Sequence, residues 1–463
     1  MKKIITPVVL KSFMIAKLFV LSILVSSCLT EDRIDIDNDG HQYITFTVST
    51  PYTSAPTYAL SENSENAVET VDVLAFRVEG ADEFYTYRSS GTEIQDDAQS
   101  DKKTFKVSLR KDEDIYYRFV VIANGKDELD ALSTTQNATK NQLLAHLLSK
   151  NGSDRWNSTS DADFKAIPMW GETATTMKIT DATTRISGVT LLRSLVSIDV
   201  AILGSTVQNK FKLNEVYLYN RKTRGRIVPI HSHFDANDIK VTAASIPTDN
   251  SSDPLTIWDG LRYTTSDPTG LRKTIYTYEA PGVTKDDDLN ATCVVIGGLY
   301  NSTQTYYRLD FIDKENDGSF KGYRDLLRNH RYTFNVTDVT EDGYATADEA
   351  FFGKKVGITV DVEAWNMSDM AEVVVDEEYY LRVSKGSFDV VASTYQGTVT
   401  VQTDHPGGWN VSVTAADSWI TISNKTATYF NFTLANLPAG ERTGTITIEV
   451  GNLKKTIKVK QTA

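Results

Sequence analysis

A chain of 463 residues, 40% hydrophobic and 24% charged, is too long for one ordinary core and too apolar to stay disordered. Length alone leads one to expect about three folded domains. A formal net charge of −13 excludes a broad nucleic-acid-binding surface, since phosphate binding needs clustered Lys and Arg to release counterions; an acidic surface instead keeps an exported protein soluble.

The first 27 residues carry the three parts of an export signal. Lys2, Lys3, Lys11 and Lys17 supply positive charge, residues 18–25 an apolar core, and Ser26-Ser27 small residues before Cys28. The apolar core is too short for a permanent membrane-spanning helix. Small residues immediately ahead of a cysteine resemble the bacterial lipobox, which implies cleavage before Cys28, a lipid on its sulfur and attachment to the outer membrane. Leu29-Thr30-Glu31-Asp32 is similar to the acidic signal that sends Bacteroidetes lipoproteins to the outer face of the cell. The other cysteine, Cys293, stands in the apolar run 291–296 and reads as a small core residue. With Cys28 acylated it has no intrachain partner, so no disulfide framework is expected.

Residues 28–42 read as a polar linker. Within it Asp35-Ile36-Asp37-Asn38-Asp39-Gly40 opens like a calcium loop, but Phe46 rather than a glutamate stands at the twelfth position. Residues 43–50 alternate, with Ile44, Phe46 and Val48 on one face and Thr45, Thr47 and Ser49 on the other, as a half-buried antiparallel strand does. A polar stretch, 51–69, separates this strand from the next at 71–78. Further strands are predicted at 105–109 and 116–123, the latter ending on the turn signal Asn124-Gly125. Leu143, Leu144, Leu147 and Leu148 at helical spacing predict a helix over 137–150 that caps one end of a sandwich. A domain boundary is expected near residue 185. After it come an apolar run at 188–200 and strands at 211–219, 273–278, 292–296, 306–311, 330–336 and 357–362, most beside a Gly, Pro, Asn or Asp turn. Asp313-Lys314-Glu315-Asn316-Asp317-Gly318 again looks like a calcium loop, but Arg324 holds its twelfth position and a turn is expected. Beyond an acidic connection, residues 379–463 alternate at Trp409, Val411 and Val413, at Phe430, Phe432 and Leu434, and at Ile446, Ile448 and Val450, the pattern of a separate immunoglobulin-like sandwich.

The stretches 167–172 (IPMWGE), 276–282 (YTYEAPG), 297–301 (GGLYN), 306–311 (YYRLDF), 326–336 (LLRNHRYTFNV) and 360–366 (VDVEAWN) run in the order seen in fimbrillins, the pilus-forming lipoproteins of Bacteroidetes. The resemblance covers roughly residues 41–375, and its most specific element is 323–332. It implies two tandem transthyretin-like β-sandwich domains, here 43–185 and 186–376, so that the whole chain is all-β with the immunoglobulin-like sandwich last. Residues 379–463 closely resemble a BACON domain, a module named for suspected carbohydrate binding, through the runs GGWNVSV, DSWITIS, NLPAGERTGTITIEV and KKTIKVKQTA.

In fimbrillins, as the resemblance implies, a protease that cuts after arginine removes the first strand, and a strand of the next subunit fills the exposed groove. The corresponding strand is 43–50, with Ile44, Phe46 and Val48 facing the groove. This sequence departs from the pattern twice. No Lys or Arg occurs from His41 to Phe76, and an extra domain follows the segment that a shaft subunit would donate. Both departures disfavour a shaft subunit and leave two terminal roles open, a tip adhesin if the strand is removed and a membrane-bound anchor if it stays. Expected partners are other pilus subunits, the outer membrane, and a host protein or glycan, with no nucleic acid.

The alternative reading is a glycan-binding lipoprotein of a polysaccharide-utilisation system, with Trp409 and Trp419 as sugar platforms; both stand among aliphatic residues, where core packing is expected. No catalytic motif is present: there is no Gly-x-Ser-x-Gly elbow, phosphate-binding glycine loop or His-Glu-x-x-His. His231-Ser232-His233 is the one hint of a metal site and reads as a loop or exposed strand. Neither an enzymatic activity nor a cofactor is expected.

Overall fold

The computed structural model describes residues 40–50, 65–96, 102–133, 136–150, 155–156, 164–235, 238–248, 254–314, 320–354, 356–366, 371–375, 380–383, 387–403, 405, 407–451 and 453–462. The chain adopts the expected all-β class, and period-two alternation is the reason: one row of side chains enters a core and the other meets solvent or a covering loop.

The first sandwich contains β1 (His41–Ser49), β2 (Val71–Glu79), β3 (Asp82–Ser90), β4 (Thr92–Asp96), β5 (Lys102–Arg110), β6 (Asp112–Ala123), β7 (Leu148–Lys150), β8 (Met169–Glu172), β9 (Met177–Ile179), β10 (Arg185–Thr190) and β11 (Leu192–Arg193). One sheet has the order β10-β1-β5-β4 and the facing sheet the order β11-β8-β6-β2-β3, with β9 also on β6. Ile44, Phe46, Val48, Phe105, Val107 and Leu109 pack against Val73, Ala75, Tyr117, Phe119 and Val121 between them. The outer face of β2 and β6 is covered too. Leu74, Phe76, Val120 and Ile122 pack under Leu129, Leu143, Leu144 and Leu147. Strands buried on both faces read as continuous apolar runs, which explains why residues 71–76 and 119–123 hardly alternate.

Two sequence expectations are corrected here. The helix predicted over 137–150 is confined to Lys140–Leu144, opened by a capping box between Thr139 and Gln142. Its continuation is drawn into β7, which pairs with a strand of the second sandwich, so tertiary pairing overrides the helical spacing. The boundary expected near 185 falls after Arg193, because β10 pairs with β1 and β11 with β8.

The second sandwich contains β12 (Val196–Ile202), β13 (Phe211–Tyr219), β14 (Arg221–Lys222), β15 (Arg224–Arg226), β16 (Ser232–Asp235), β17 (Asp238–Val241), β18 (Thr256–Ile257), β19 (Leu261–Thr264), β20 (Gly270–Thr277), β21 (Cys293–Tyr300), β22 (Thr303–Asp310), β23 (Ile312–Lys314), β24 (Phe320–Tyr323), β25 (His330–Val339) and β26 (Ile358–Asn366). Its sheets run β20-β12-β25-β26 and β19-β13-β21-β22 around a core that includes Ile198, Phe211, Tyr263, Tyr307, Tyr332 and Phe334. Cys293 is buried in β21 among the residues under the helix Ala347–Phe352, and burial pushes its thiol well above the usual range.

Farther along, Ala371–Val375, Tyr380–Val383, Tyr395–Thr403, Tyr429–Leu434 and Ile420–Ser423 form one sheet in that order. Ser387–Val391, Leu453–Thr462, Glu441–Val450 and Asn410–Val413 form the other. Trp409, Phe430, Phe432, Ile446, Ile448 and Ile457 fill the space between them.

The glycine of the IPMWGE stretch has a steric reason. A Cβ on Gly171 would lie 2.4 Å from the Thr190 carbonyl oxygen and 2.9 Å from a Val189 methyl group, so β8 of one sheet can approach β10 of the other only without a side chain. Gly171→Ala is expected to destabilise the first sandwich by about 1–3 kcal/mol, the range for overpacking, measured as a lower urea midpoint.

Candidate functional site

Strand β1 is an internal strand. It runs antiparallel to β5 in register from His41 opposite Arg110 to Ser49 opposite Lys102. Its other edge lies parallel to β10, with a bulge between Phe46 and Val48. Ile44, Phe46 and Val48 are 0%, 0% and 1% exposed. The Phe46 ring stacks on Phe105 with centroids 5.3 Å apart and meets Phe119 edge-on at 6.1 Å. Burial of these three side chains contributes about 1.5–3 kcal/mol each. Near the start of the strand, the Gln42 amide donates to the carbonyls of Thr183 at 2.8 Å and Asp181 at 3.3 Å. Removing β1 would therefore open a groove with two strand edges and three apolar sockets at alternate positions.

The chain that follows β1 is pinned at the junction of the two sandwiches. Glu65 is buried, and its carboxylate accepts from the Arg331 guanidinium at 2.8 and 3.0 Å and from the Tyr276 hydroxyl. Arg193, also buried, donates to the Glu65 carbonyl at 3.0 Å and to the Asn66 side chain. Asp199 lies 3.8 Å from Arg331 on its other side. Burial alone would push the Glu65 carboxyl up, but Arg331, Arg193, Lys273 and the Tyr276 hydroxyl together hold it at about 2. Asn124, in the left-handed region at φ 55°, donates to the carbonyls of Ala67 and Ile167 at 2.7 and 2.9 Å and accepts from the Glu69 amide at 2.8 Å.

A second buried pair lies within the second sandwich, beside the junction. Arg328 donates to the Glu279 carboxylate at 2.6 and 3.1 Å and to the carbonyls of Ile227 and Arg226 at 2.6 and 2.9 Å. Beside it β15 pairs with β7, and the Ser149 and Tyr278 hydroxyls meet at 3.1 Å. These positions explain the stretch 323–332: Arg331 is the junction cation, Arg328 is a buried cation paired within the second sandwich, and Tyr332 is core. Sequence reasoning did not assign Glu65, Arg193, Glu279, Arg328 or Arg331 to a site. The available signal was an arginine directly after two leucines, at 191–193 and again at 326–328.

The remaining sequence candidates are placed as follows. Trp409 is 4% exposed, and its indole donates to the Ala427 carbonyl at 2.7 Å. Trp419 is half-buried against the same core, with the Arg442 guanidinium 4.3 Å from its ring centre. His231 and His233 are exposed, and among the described residues no group of three or more His, Cys, Asp or Glu could hold a metal ion. At the second calcium-like stretch, Arg324 donates to Asp313 at 2.7 Å, so a cation occupies that carboxylate within the chain. Cys28 and residues 35–39 lie outside the described residues.

Replacing Glu65 with Gln leaves Arg193 and Arg331 buried against a neutral amide. A loss of about 3–5 kcal/mol is expected in urea titrations at neutral pH. Because the folded-state value is depressed from the ordinary 4.5 to about 2, the stability contributed by this carboxylate is complete above pH 4.5 and drains away as pH falls toward 2. The Gln variant should lack that part of the acid dependence.

A family model for fimbrillin-A associated anchor proteins Mfa1 and Mfa2 matches residues 35–369, and one for the BACON domain matches residues 409–462. No curated protein matches the chain. Among solved structures, a candidate cell adhesion protein of Parabacteroides distasonis is 15% identical, with 70% of this chain and 99% of that chain covered and a TM-score of 0.40. Another from Bacteroides eggerthii is also 15% identical, with 71% and 98% covered and a TM-score of 0.39. A candidate polysaccharide-binding protein of Bacteroides thetaiotaomicron is 12% identical, with 64% and 92% covered and a TM-score of 0.30. The match to the anchor model takes in both sandwiches that meet at Glu65, and on that extent the chain belongs to the family of fimbrillin-A associated anchor proteins Mfa1 and Mfa2.

Proposed function

We propose that this protein is a surface-retained anchor subunit of a fimbrillin-type pilus, held at the outer membrane by a lipid on Cys28 and keeping β1 in place. The observation that carries this reading is the setting of β1. It is paired along both edges, its alternate side chains fill the core, and its continuation is pinned through Glu65. The stretch from His41 to Phe76 supports it further, because it offers no Lys or Arg to an arginine-directed protease.

With its acceptor groove closed by its own strand, the subunit takes no further strand there and ends the fibre at the cell. The strand Ala371–Val375 follows the second sandwich and lies at the edge of its sheet, paired with Tyr380–Val383. An edge strand can be peeled away at lower cost than an internal one, so this is the segment that complements a neighbouring subunit's groove. The BACON domain acts as a mount, since Trp409 is core and Trp419 lies under Arg442.

The mass of the N-terminus of cell-derived protein tests this reading. An acylated Cys28 followed by an intact β1 is expected. A mature start between Tyr52 and Leu60 would overturn the anchor role and assign a tip subunit. Deleting the protein should also shift fibres from cells to the medium, scored by quantifying shaft subunit in both fractions.

A further inference from the structure

The outward face of the sheet β19-β13-β21-β22 carries a group of side chains at the margin of the small buried cluster under the helix Ala347–Phe352, against which Tyr217 and Tyr306 pack. Glu215 and Tyr217 of β13 point out from one strand, and Tyr306 of β22 points out two strands away. Between them in the register stands Gly297, opposite Glu215 on one side and Tyr306 on the other. A Cβ there would lie 2.6 Å from the Tyr306 ring and 2.9 Å from the Glu215 side chain, so the missing side chain is what lets the two converge.

The Tyr217 and Tyr306 rings meet edge-on with centroids 6.2 Å apart, and both are half-buried. Next along the same face stands Tyr219, 6.4 Å from Tyr217 between ring centroids and stacked on Phe351 at 4.4 Å, which fixes one flank of the platform. Polar groups surround the rings. The Glu215 carboxylate accepts from the Tyr217 hydroxyl at 2.6 Å, the Arg262 guanidinium at 2.8 Å and the Tyr306 hydroxyl at 3.2 Å. The Asn214 and Gln304 amides pair at 2.8 Å in one direction and 3.3 Å in the other. The Arg262 side chain remains 56% exposed.

We infer that this face is a carbohydrate-binding site for an uncharged oligosaccharide, with Tyr217 and Tyr306 as the platform and Glu215, Arg262, Asn214 and Gln304 as the hydroxyl-reading groups. A pyranose ring has an apolar C–H face that lies on an aromatic ring and a rim of hydroxyls that each donate and accept. Planar carboxylate, guanidinium and amide groups held in one network offer both roles without rearrangement, which lowers the ordering cost of binding. One carboxylate balances one guanidinium, so the site favours a neutral ligand over an anionic one. The inference is independent of the anchor reading and places glycan recognition on the second sandwich rather than on the BACON tryptophans.

The test is titration of the full chain with cello-, xylo-, manno- and malto-hexaose, with sialyllactose as the charged comparison. Saturable binding of at least one neutral series is expected. Tyr306→Ala and Arg262→Ala should each weaken it by about tenfold or more. Tyr306→Phe, which keeps the ring, should retain most of the affinity, and Trp419→Ala all of it. If Tyr306→Ala fails to fold, the exposed Arg262→Ala variant decides. Absence of saturable binding, preference for sialyllactose, unchanged affinity in Arg262→Ala, or loss in Trp419→Ala would overturn the assignment.

Discussion

A buried carboxylate between two arginines holds this molecule's first two sandwiches in one arrangement. Glu65 contributes the negative charge, Arg193 comes from the last strand of the first sandwich, and Arg331 comes from the strand that pairs in parallel with β12 in the second. Charges out of water must be matched, and breaking one member of such a set is far more costly than breaking an exposed pair. Glu65, the end of the first sandwich and the 323–332 stretch are therefore interdependent. Arg328 and Glu279 form a further buried ion pair a few residues away, within the second sandwich.

That constraint gives β1 its particular status. It opens the described chain yet lies inside a sheet, between β5 and the last long strand of its own sandwich. The same parallel pairing of an early strand with a late one recurs between β12 and β25 and between Ser387–Val391 and Leu453–Thr462. Parallel neighbours need a long crossover, and here nearly the whole sandwich serves as one. An early strand in such a setting closes the fold, so its retention or loss decides whether the sandwich is sealed or left with an open groove. Pinning of the chain at Glu65 confines that decision to residues upstream of it.

The two aromatic settings of the molecule behave differently. Indoles in the third pair of sheets are used for packing: Trp409 is satisfied by a backbone carbonyl and Trp419 is covered by a guanidinium. Tyrosines on the second sandwich stand on an outward sheet face, with their hydroxyls gathered on Glu215. A tyrosine with a wet polar end and an apolar body is suited to a surface that must meet both water and a ligand. An indole in an alternating strand is drawn inward by its area.

The amino-acid sequence by itself determined the all-β class, the facing of Ile44, Phe46 and Val48, all but β19 of the strands in the two main sheets of the second sandwich, and the inward course of Trp409. All of these follow from period-two alternation and turn residues, which act between near neighbours. Only the tertiary structure decided that residues 148–150 leave a helical pattern to pair with β15, and that residues 185–193 belong to the first sandwich rather than the second. It alone brought Glu65 to Arg193 and Arg331, and Tyr217 to Tyr306 across Gly297. These are pairings between residues far apart in the chain, and local periodicity carries no record of which strand will become a neighbour.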